Sequence, residues 1–290
     1  MKLLPDWLLQ HQFPNSSDRL TQPLLNDLRA RLARFRPDDP EVSILVPAYN
    51  EQKNLVQLLS SLASQQSTFR TELIVANNNS TDQTQALLDA CGVRSVLVMP
   101  QGIGHARQAA LLAAQGTFVV NADCDCIYPP TWIDALVKPL KNNAISCTYG
   151  NYCFLPSIEN PRWALLIYET IARRIFAFRR WQGVERVNVM GFNFAFRRQD
   201  ALDVGGFNTS FRRGIHSDAL DVDSEDGWMA KCLLKKGRIN HVTKGATVWS
   251  SDRVLAKDGG VLKAFGKRVR LQFRTMTRSP GVLSKSIKNN

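Results

Sequence analysis

Val42-Ser43-Ile44-Leu45-Val46-Pro47-Ala48-Tyr49-Asn50-Glu51 is the stretch from which the fold is read. A short apolar, β-branched run closed by a proline has the character of a strand buried on both faces. Leu55, Leu58, Leu59 and Leu62 follow at helical spacing and predict an amphipathic helix. The unit then recurs. Glu72 to Ala76 reads as a second strand, Thr81 to Ala90 as a helix and Ser95 to Val98 as a third strand. Ile103 to Ala114 is Ala/Leu-rich and helical, and Thr117 to Val120 is a fourth strand running directly into Asp123. Strands joined by helical crossovers imply an α/β fold with a doubly wound, mostly parallel sheet. Ligands of such sheets bind beyond the carboxyl ends of the strands, so the polar residues there are where chemistry is sought.

Outward from this unit, residues 1–40 read as an N-terminal helical extension. Leu24, Leu28, Leu32 and Phe35 form its apolar face, Pro23 opens it, and Arg36-Pro37-Asp38-Asp39-Pro40 breaks it. Residues 253–290 form a basic C-terminal segment with helical patterning. The span 41–252 between them is one domain.

The chain has 290 residues, 44% hydrophobic and 21% charged, which excludes disordered, collagenous and coiled-coil classes. Six cysteines with no CxxC pair exclude a zinc ribbon or a dithiol redox motif and fit a reducing compartment. No run of 18 apolar residues exists, and Met1 to Phe13 lacks a signal-peptide pattern, so the expectation is a cytoplasmic protein.

The net charge of +12 is uneven. Residues 253–290 hold ten Lys or Arg against one acid, a net +9; residues 162–198 hold eight Arg against two Glu, a net +6. Such a surface serves nucleic acid, anionic lipid, a phosphorylated substrate or solubility alone. No zinc-finger spacing, RNA-recognition aromatic signature or basic zipper is present, so no nucleic-acid partner is expected. Leu262, Phe265, Val269, Phe273 and Met276 make a helical stripe, with Lys263, Lys267, Arg270 and Arg274 off it. That pattern across 261–290 predicts either an anionic membrane surface, with the protein peripheral on its inner face, or docking on the protein's own core.

Three strand ends gather unusual residues: the Pro47–Glu51 loop, Asn77-Asn78-Asn79-Ser80-Thr81-Asp82, and Asp123-Cys124-Asp125. Gly102-Ile103-Gly104-His105-Ala106-Arg107 is not a dinucleotide fingerprint, since Arg stands at 107, and no P-loop occurs. Two carboxylates two residues apart suit a hard cation such as Mg²⁺ or Mn²⁺ bridging to phosphate, or else form a solvated turn pair. With no further ligand at metal spacing, Cys124 and Cys126 read as packing thiols.

The ordered set VSILVPAYNE, NNNSTDQT, GIGHARQAAL, DCDCIYPPTW, MGFNFAFRR (190–198), VGGF (204–207) and SEDGWMAKCLLKKG (224–237) resembles the family-2 glycosyltransferases, over about residues 42–240. The resemblance implies the nucleotide-sugar transferase (GT-A) fold, with a nucleotide-sugar-binding half at 41–130 and an acceptor half at 131–252. It implies an inverting hexosyl-type transfer from a nucleotide-diphosphate sugar to a hydroxyl of a glycan, lipid-linked or small-molecule acceptor, with Mg²⁺ or Mn²⁺, in cell-envelope polysaccharide synthesis. By resemblance, Asp125 is the metal ligand and Asp123 either shares the metal or holds the ribose. Pro47 and Tyr49 belong to the first donor loop. Glu51 is either that loop's acid or a charge at a helix start. Asn77 and Asn78 stand where the family often has an Asp contacting the base. Gly104 and Arg107 fall in the donor-side loop, with Arg107 a cation near the nucleotide or a surface ion pair. Glu225-Asp226 resembles the family's ED pair, whose Asp takes the acceptor proton. Gly191 and Asn193 fall in the acceptor-side loop. Trp228 either packs on a sugar or belongs to the core, and His241 either completes the metal shell or is a buried strand residue. Arg253 is a candidate contact for the pyrophosphate. Two alternatives are a nucleotidyltransferase, disfavoured by PAYNE where a Gly-rich basic loop would stand, and a basic lipid- or nucleic-acid-binding protein on an inactive transferase scaffold.

Overall fold

The computed structural model describes residues 4–12, 21–210, 224–257 and, beyond these, 259–261, 263 and 266. Helices α1 (Asp6–Leu9) and α2 (Gln22–Leu32) precede β1 (Val42–Ala48). Then come α3 (Leu55–Ala63), β2 (Thr71–Asn77), α4 (Thr84–Ala90), β3 (Arg94–Leu97), α5 (Ile103–Ala113) and β4 (Phe118–Asn121). The second half runs β5 (Cys126–Ile127), α6 (Trp132–Val137), β6 (Ile145–Gly150), β7 (Tyr152–Phe154), α7 (Arg162–Trp181), β8 (Phe194–Arg197) and α8 (Arg198–Asp203). It closes with α9 (Glu225–Leu233), β9 (Arg238–Val242), β10 (Val248–Ser250) and α10 (Arg253–Lys257).

The seven strands of the main sheet lie in the order β3-β2-β1-β4-β8-β6-β9. All adjacent pairs are parallel except those of β8, which runs antiparallel to both β4 and β6. β1 and β2 are buried along nearly their whole length, as continuous apolar runs in a covered parallel sheet must be. β1 continues through Pro47 to Ala48, where a stop at Val46 was expected. Its pairing with β4 ends at Leu45↔Asn121, so Pro47 lies past that neighbour and its missing N–H costs no ladder bond. α4 starts at Thr84 rather than Thr81, because Asp82 Oδ1 accepts from the Thr84 amide and turns the preceding residues into a cap. A small sheet, β5-β10-β7, stands apart from the main one.

The N-terminal extension shares the main core instead of standing apart from it. Leu28, Leu32 and Phe35 join the cluster formed by β1, β2, α3 and α6. Leu8 is fully buried against Ile127, Cys153 and Trp249 of the small sheet. Arg31 donates to Ser64 Oγ (2.7 Å) and Arg34 to the Gln65 carbonyl (2.7 Å), which fastens α2 to the end of α3. The stripe from Leu262 to Met276 lies outside the described residues, apart from isolated positions. Leu28→Ala is expected to lower stability by about 2–5 kcal/mol, the usual result of emptying a fully buried leucine site. Urea unfolding decides it; a loss near zero would mean that the extension is energetically separate.

Candidate active site

β1, β2 and β4 end on one edge of the sheet, and a cavity of about 620 Å³ opens there. Its walls come from Pro47, Ala48, Tyr49 and Glu51 after β1, Asn78 after β2, and Asp123, Cys124 and Asp125 after β4. Pro100 to Ile103, with His105 and Ala106, contribute the start of α5, and Arg253 contributes the start of α10. The Tyr49 ring stands at the rim, half exposed.

The loops around the cavity are tied to one another. Asn50 and Asn79 take left-handed backbone (φ 54° and 57°), which asparagine tolerates. Asn50 Oδ1 accepts from the Thr81 amide (2.8 Å), and the Asn50 amide donates to Ser80 Oγ (3.0 Å). Asn78 uses its whole amide on the next loop: Nδ2 donates to the Val98 and Pro100 carbonyls, and Oδ1 accepts from the Gly102 amide. Asn77 does not line the cavity. It donates to Gln85 Oε1 (2.8 Å) and accepts from the Ser80 amide (3.0 Å), holding its own loop. Gly104 is also off the cavity wall; a Cβ there would lie 2.5 Å from the Asn208 carbonyl oxygen, so its absence lets α5 approach that segment.

Glu51 is held from both sides. Asn54 donates to its Oε2 (2.6 Å), and Arg253 reaches Oε1 through both terminal nitrogens (3.1 Å each). The same guanidinium meets Asp125 Oδ2 at 2.7 Å, and Ser251 Oγ donates to that oxygen at 2.6 Å. Burial works against the Arg253 charge, but Asp125 and Glu51 more than offset it and hold its pKa above the ordinary arginine value. Arg253 thus bridges two acids across the cavity. Ser251 was not singled out from the sequence.

Arg107 lies behind the wall, 1% exposed, so it is not a surface ion pair; it reaches the cavity through Asp123. It donates to Asp123 Oδ1 (2.8 Å), the Gly191 carbonyl (2.6 Å) and Asn121 Oδ1 (3.3 Å), and its Nε is 3.5 Å from Glu225 Oε1. Burial disfavours this charge, and Asp123, Glu225 and Asp226 together outweigh it and raise the pKa. Tyr128, also unforeseen, accepts from the Asp123 amide through its hydroxyl (2.8 Å).

Asp226 sits in the first turn of α9, behind the N-cap Ser224. Its Oδ2 accepts from the Gly191 amide (2.5 Å), its Oδ1 from the Gly227 amide (2.8 Å), and the Ser224 hydroxyl lies against Oδ1. Gly191 is required to be small, since a Cβ would come 2.5 Å from an Arg107 nitrogen. Burial, with the Asp226 charge next, pushes the Glu225 carboxyl up to about 7.

Two residues expected on the acceptor or metal side do other work. Asn193 is buried with its amide fully engaged: Nδ2 donates to the Asn151 and Ala246 carbonyls, and Oδ1 accepts from Trp132 Nε1. It splices the small and main sheets. His241 lies on β9, stacked on Tyr149 and 2.9 Å from Asn151 Oδ1, and no group of three His, Cys, Asp or Glu suited to a metal exists among the described residues. His241 is therefore not gathered with Asp123 and Asp125. Trp228 is half-buried, with the Lys231 ammonium 5.6 Å from its ring centre. Asp218, Asp221 and Asp223 lie outside the described residues.

The donor set at the cavity still fits a hard divalent cation. Asp123 and Asp125 offer oxygens only, and burial holds the intervening Cys124 thiol, and that of Cys126, well above the ordinary range, so neither competes as a thiolate. One or two carboxylates with the remaining positions left to water or phosphate is the usual protein share for Mg²⁺.

The raised Glu225 carboxyl has a consequence for stability. Between pH 4.5 and about 7 the native chain keeps a proton there that the unfolded chain has released, so stability falls as pH rises through that window. Glu225→Gln keeps the uncharged form. Its melting temperature is expected to fall less than the parent's from about pH 5 to about 8, and to lie above the parent's at the alkaline end. Equal slopes for the two proteins would remove the raised carboxyl.

Residues 43–205, more than half of the chain, match the family model described as "Glycosyl transferase family 2". Among curated relatives, the chain is 32% identical over 120 residues to the UDP-Glc:alpha-D-GlcNAc-diphosphoundecaprenol beta-1,3-glucosyltransferase WfgD of Escherichia coli, covering 40% of this chain and 47% of that one. It is 26% identical over 178 residues to the glycosyltransferase AglE of Haloferax volcanii, covering 58% and 56%. The matched stretch thus spans about half the length of these relatives. Among solved structures, S. aureus TarS 1–349 matches with a TM-score of 0.53 at 18% identity, over 73% of this chain and 60% of that one. The mannosyltransferase PcManGT of Pyrobaculum calidifontis matches with a TM-score of 0.52 at 18% identity, over 86% and 76%. At these identities the likeness is one of fold, and it agrees with the mostly parallel sheet and its flanking helices. With the family model spanning β1 to α8, the chain belongs to glycosyltransferase family 2.

Proposed function

We propose that the protein is an inverting glycosyltransferase that moves a sugar from a nucleotide-diphosphate donor to a hydroxyl of a glycan, lipid-linked or small-molecule acceptor. One observation carries this reading. The buried Arg107 guanidinium bonds Asp123 on the cavity wall and the Gly191 carbonyl, while the Gly191 amide bonds Asp226. A cation-binding carboxylate and a candidate base are thereby fixed to one brace at the end of the strands. WfgD is named as a UDP-Glc transferase and PcManGT was solved with GDP-Man and Mn²⁺, which supports a nucleotide-sugar donor and a divalent ion here too.

In this reading the donor nucleotide lies between Tyr49 at the rim and the Asn78–Gln101 wall, and Asp125 with Asp123 holds Mg²⁺ or Mn²⁺. When bound, that ion supplies charge neutralisation for a diphosphate leaving group. Arg253 adds a guanidinium on the same wall. Asp226 takes the proton of the acceptor hydroxyl as its oxygen bonds to the anomeric carbon. The bond from that carbon to the diphosphate oxygen breaks in the same displacement, so configuration inverts. Gly191 keeps its backbone close to the reacting groups, and Glu225, held near neutrality, limits the negative charge beside Asp226.

A panel of UDP- and GDP-sugars, with and without Mn²⁺, tests the reading on purified protein. The true donor at about 100 times its Kd should stabilise the fold by about 2.7 kcal/mol, and only with the metal. Release of nucleoside diphosphate should accompany it. No stabilisation and no release across the panel would overturn the assignment. Asp125→Asn is expected to abolish the Mn²⁺ dependence of nucleotide binding; titration of the variant with donor reads it. Asp226→Asn should leave donor affinity nearly intact and cut turnover by roughly 10²-fold or more, the usual share of a general base. A loss below about tenfold would move the base role to Glu225.

A further inference from the structure

Helix α7 has an outer face that nothing in the described fold covers. Trp163, Ile167, Thr170, Arg174, Phe178 and Trp181 step along it by 4, 3, 4, 4 and 3, and all are exposed. Trp163 is 65%, Ile167 56% and Trp181 80% exposed. A 20-residue helix is about 30 Å long, so two tryptophans mark the two ends of one apolar strip. The inner face is accounted for: Leu165 and Tyr168 pack with Phe154, Leu255 and Val261.

The charge on α7 is one-sided. The helix carries Arg162, Arg173, Arg174, Arg179 and Arg180, and its single acid, Glu169, is buried and ion-paired to Arg162 at 2.7 Å. An exposed apolar strip ended by tryptophans, with exposed Arg174 within it and exposed Arg173 on the same helix, is the pattern of a helix lying in the plane of a lipid interface. No helix among the described residues is long and apolar enough to cross a membrane. Other occupants meet a charge conflict. The chain's own C-terminal segment, +9 over 253–290, and a second copy of the same face would each bring cations against arginines.

We infer that the outer face of α7 docks on an anionic lipid surface, with Trp163, Ile167, Phe178 and Trp181 entering the interface and the exposed Arg173 and Arg174 meeting headgroup charge. The face is continuous with the acceptor side. Only nine residues lie between Trp181 and Gly191, whose amide donates to Asp226. Leu255 and Val261 pack on the inner side of the same helix.

The test uses the full-length chain without donor or acceptor, so it is independent of the transfer reading. Vesicles of phosphatidylcholine alone are compared with vesicles containing about one third phosphatidylglycerol. Binding is expected to the anionic vesicles, weakening as salt rises. Ile167→Glu with Phe178→Glu should cut partitioning by roughly tenfold or more, with an unchanged melting temperature because both side chains are exposed. Lipids brominated in the acyl chain should quench tryptophan emission in the parent and much less in a Trp163→Phe, Trp181→Phe variant. Residues 253–290 contain no tryptophan, so this quenching separates α7 from the C-terminal segment. Full binding by the glutamate variant, quenching unaltered by the two Trp→Phe changes, or no binding to anionic vesicles would each overturn the proposal. So would a dimer that the glutamate changes convert to monomer while vesicles go unbound.

Discussion

Arg107 is the group on which the rest of the site depends. A guanidinium removed from water is tolerated only where anions and carbonyls replace its hydration. Asp123, Asn121, the Gly191 carbonyl and Glu225 do so from three different segments. Their positions are therefore not independent. The turn after β4, the loop before β8 and the first turn of α9 are all registered against one planar fork with fixed donor directions. Loss of any one partner leaves a buried charge poorly compensated, and the others must move with it.

The cavity itself is an acidic place. Glu51, Asp123 and Asp125 face it, and Arg253 spans Glu51 and Asp125 across it. A nucleotide diphosphate would add negative charge to this wall, which carboxylates alone repel at close range. The proposed function therefore requires cations at this edge of the sheet, and the structure supplies one guanidinium in the wall, another behind it, and two carboxylates of the type that hard metals take. The two acids bound to Arg253 also explain why α10 folds back over the cavity: its first residue is fixed by charge to loops of the first half.

The positions of the first-half strands were legible because a buried parallel strand is largely apolar, and Val42–Val46, Glu72–Ala76 and Thr117–Val120 announce themselves that way; their order in the sheet was not. The acids after β4 stood out as a pair at a strand end, while Glu225-Asp226, in a first helical turn where acids are common, stood out only through the family resemblance. What could not be read is which neighbour each polar side chain finds. Asn193 and Asn78 look like ligand-binding amides in the sequence, yet their amides are engaged by the backbone of distant loops and, for Asn193, by the Trp132 indole. His241 follows the same logic, paired with Asn151 and Tyr149. Helical periodicity placed an apolar face on residues 24–35 but not its partner, which is the main core itself. In α7, composition gave the basic charge, while only the three-dimensional packing separates the covered Leu165 and Tyr168 from the bare Trp163 and Trp181.

Charge is divided unevenly along the chain. Residues 162–198 carry +6 and 253–290 carry +9, against a net +12 for the whole, so the remainder is slightly acidic. The cavity wall carries Glu51, Asp123 and Asp125, whereas α7 carries five Arg against one Glu. A body polarised in this sense orients before it touches an anionic surface, since the attraction extends over a Debye length. Because α7 runs into the loop that holds Asp226, orientation by charge and placement of the candidate base belong to one continuous stretch of chain. An acceptor anchored in such a surface would reach that base by lateral diffusion rather than by leaving the lipid.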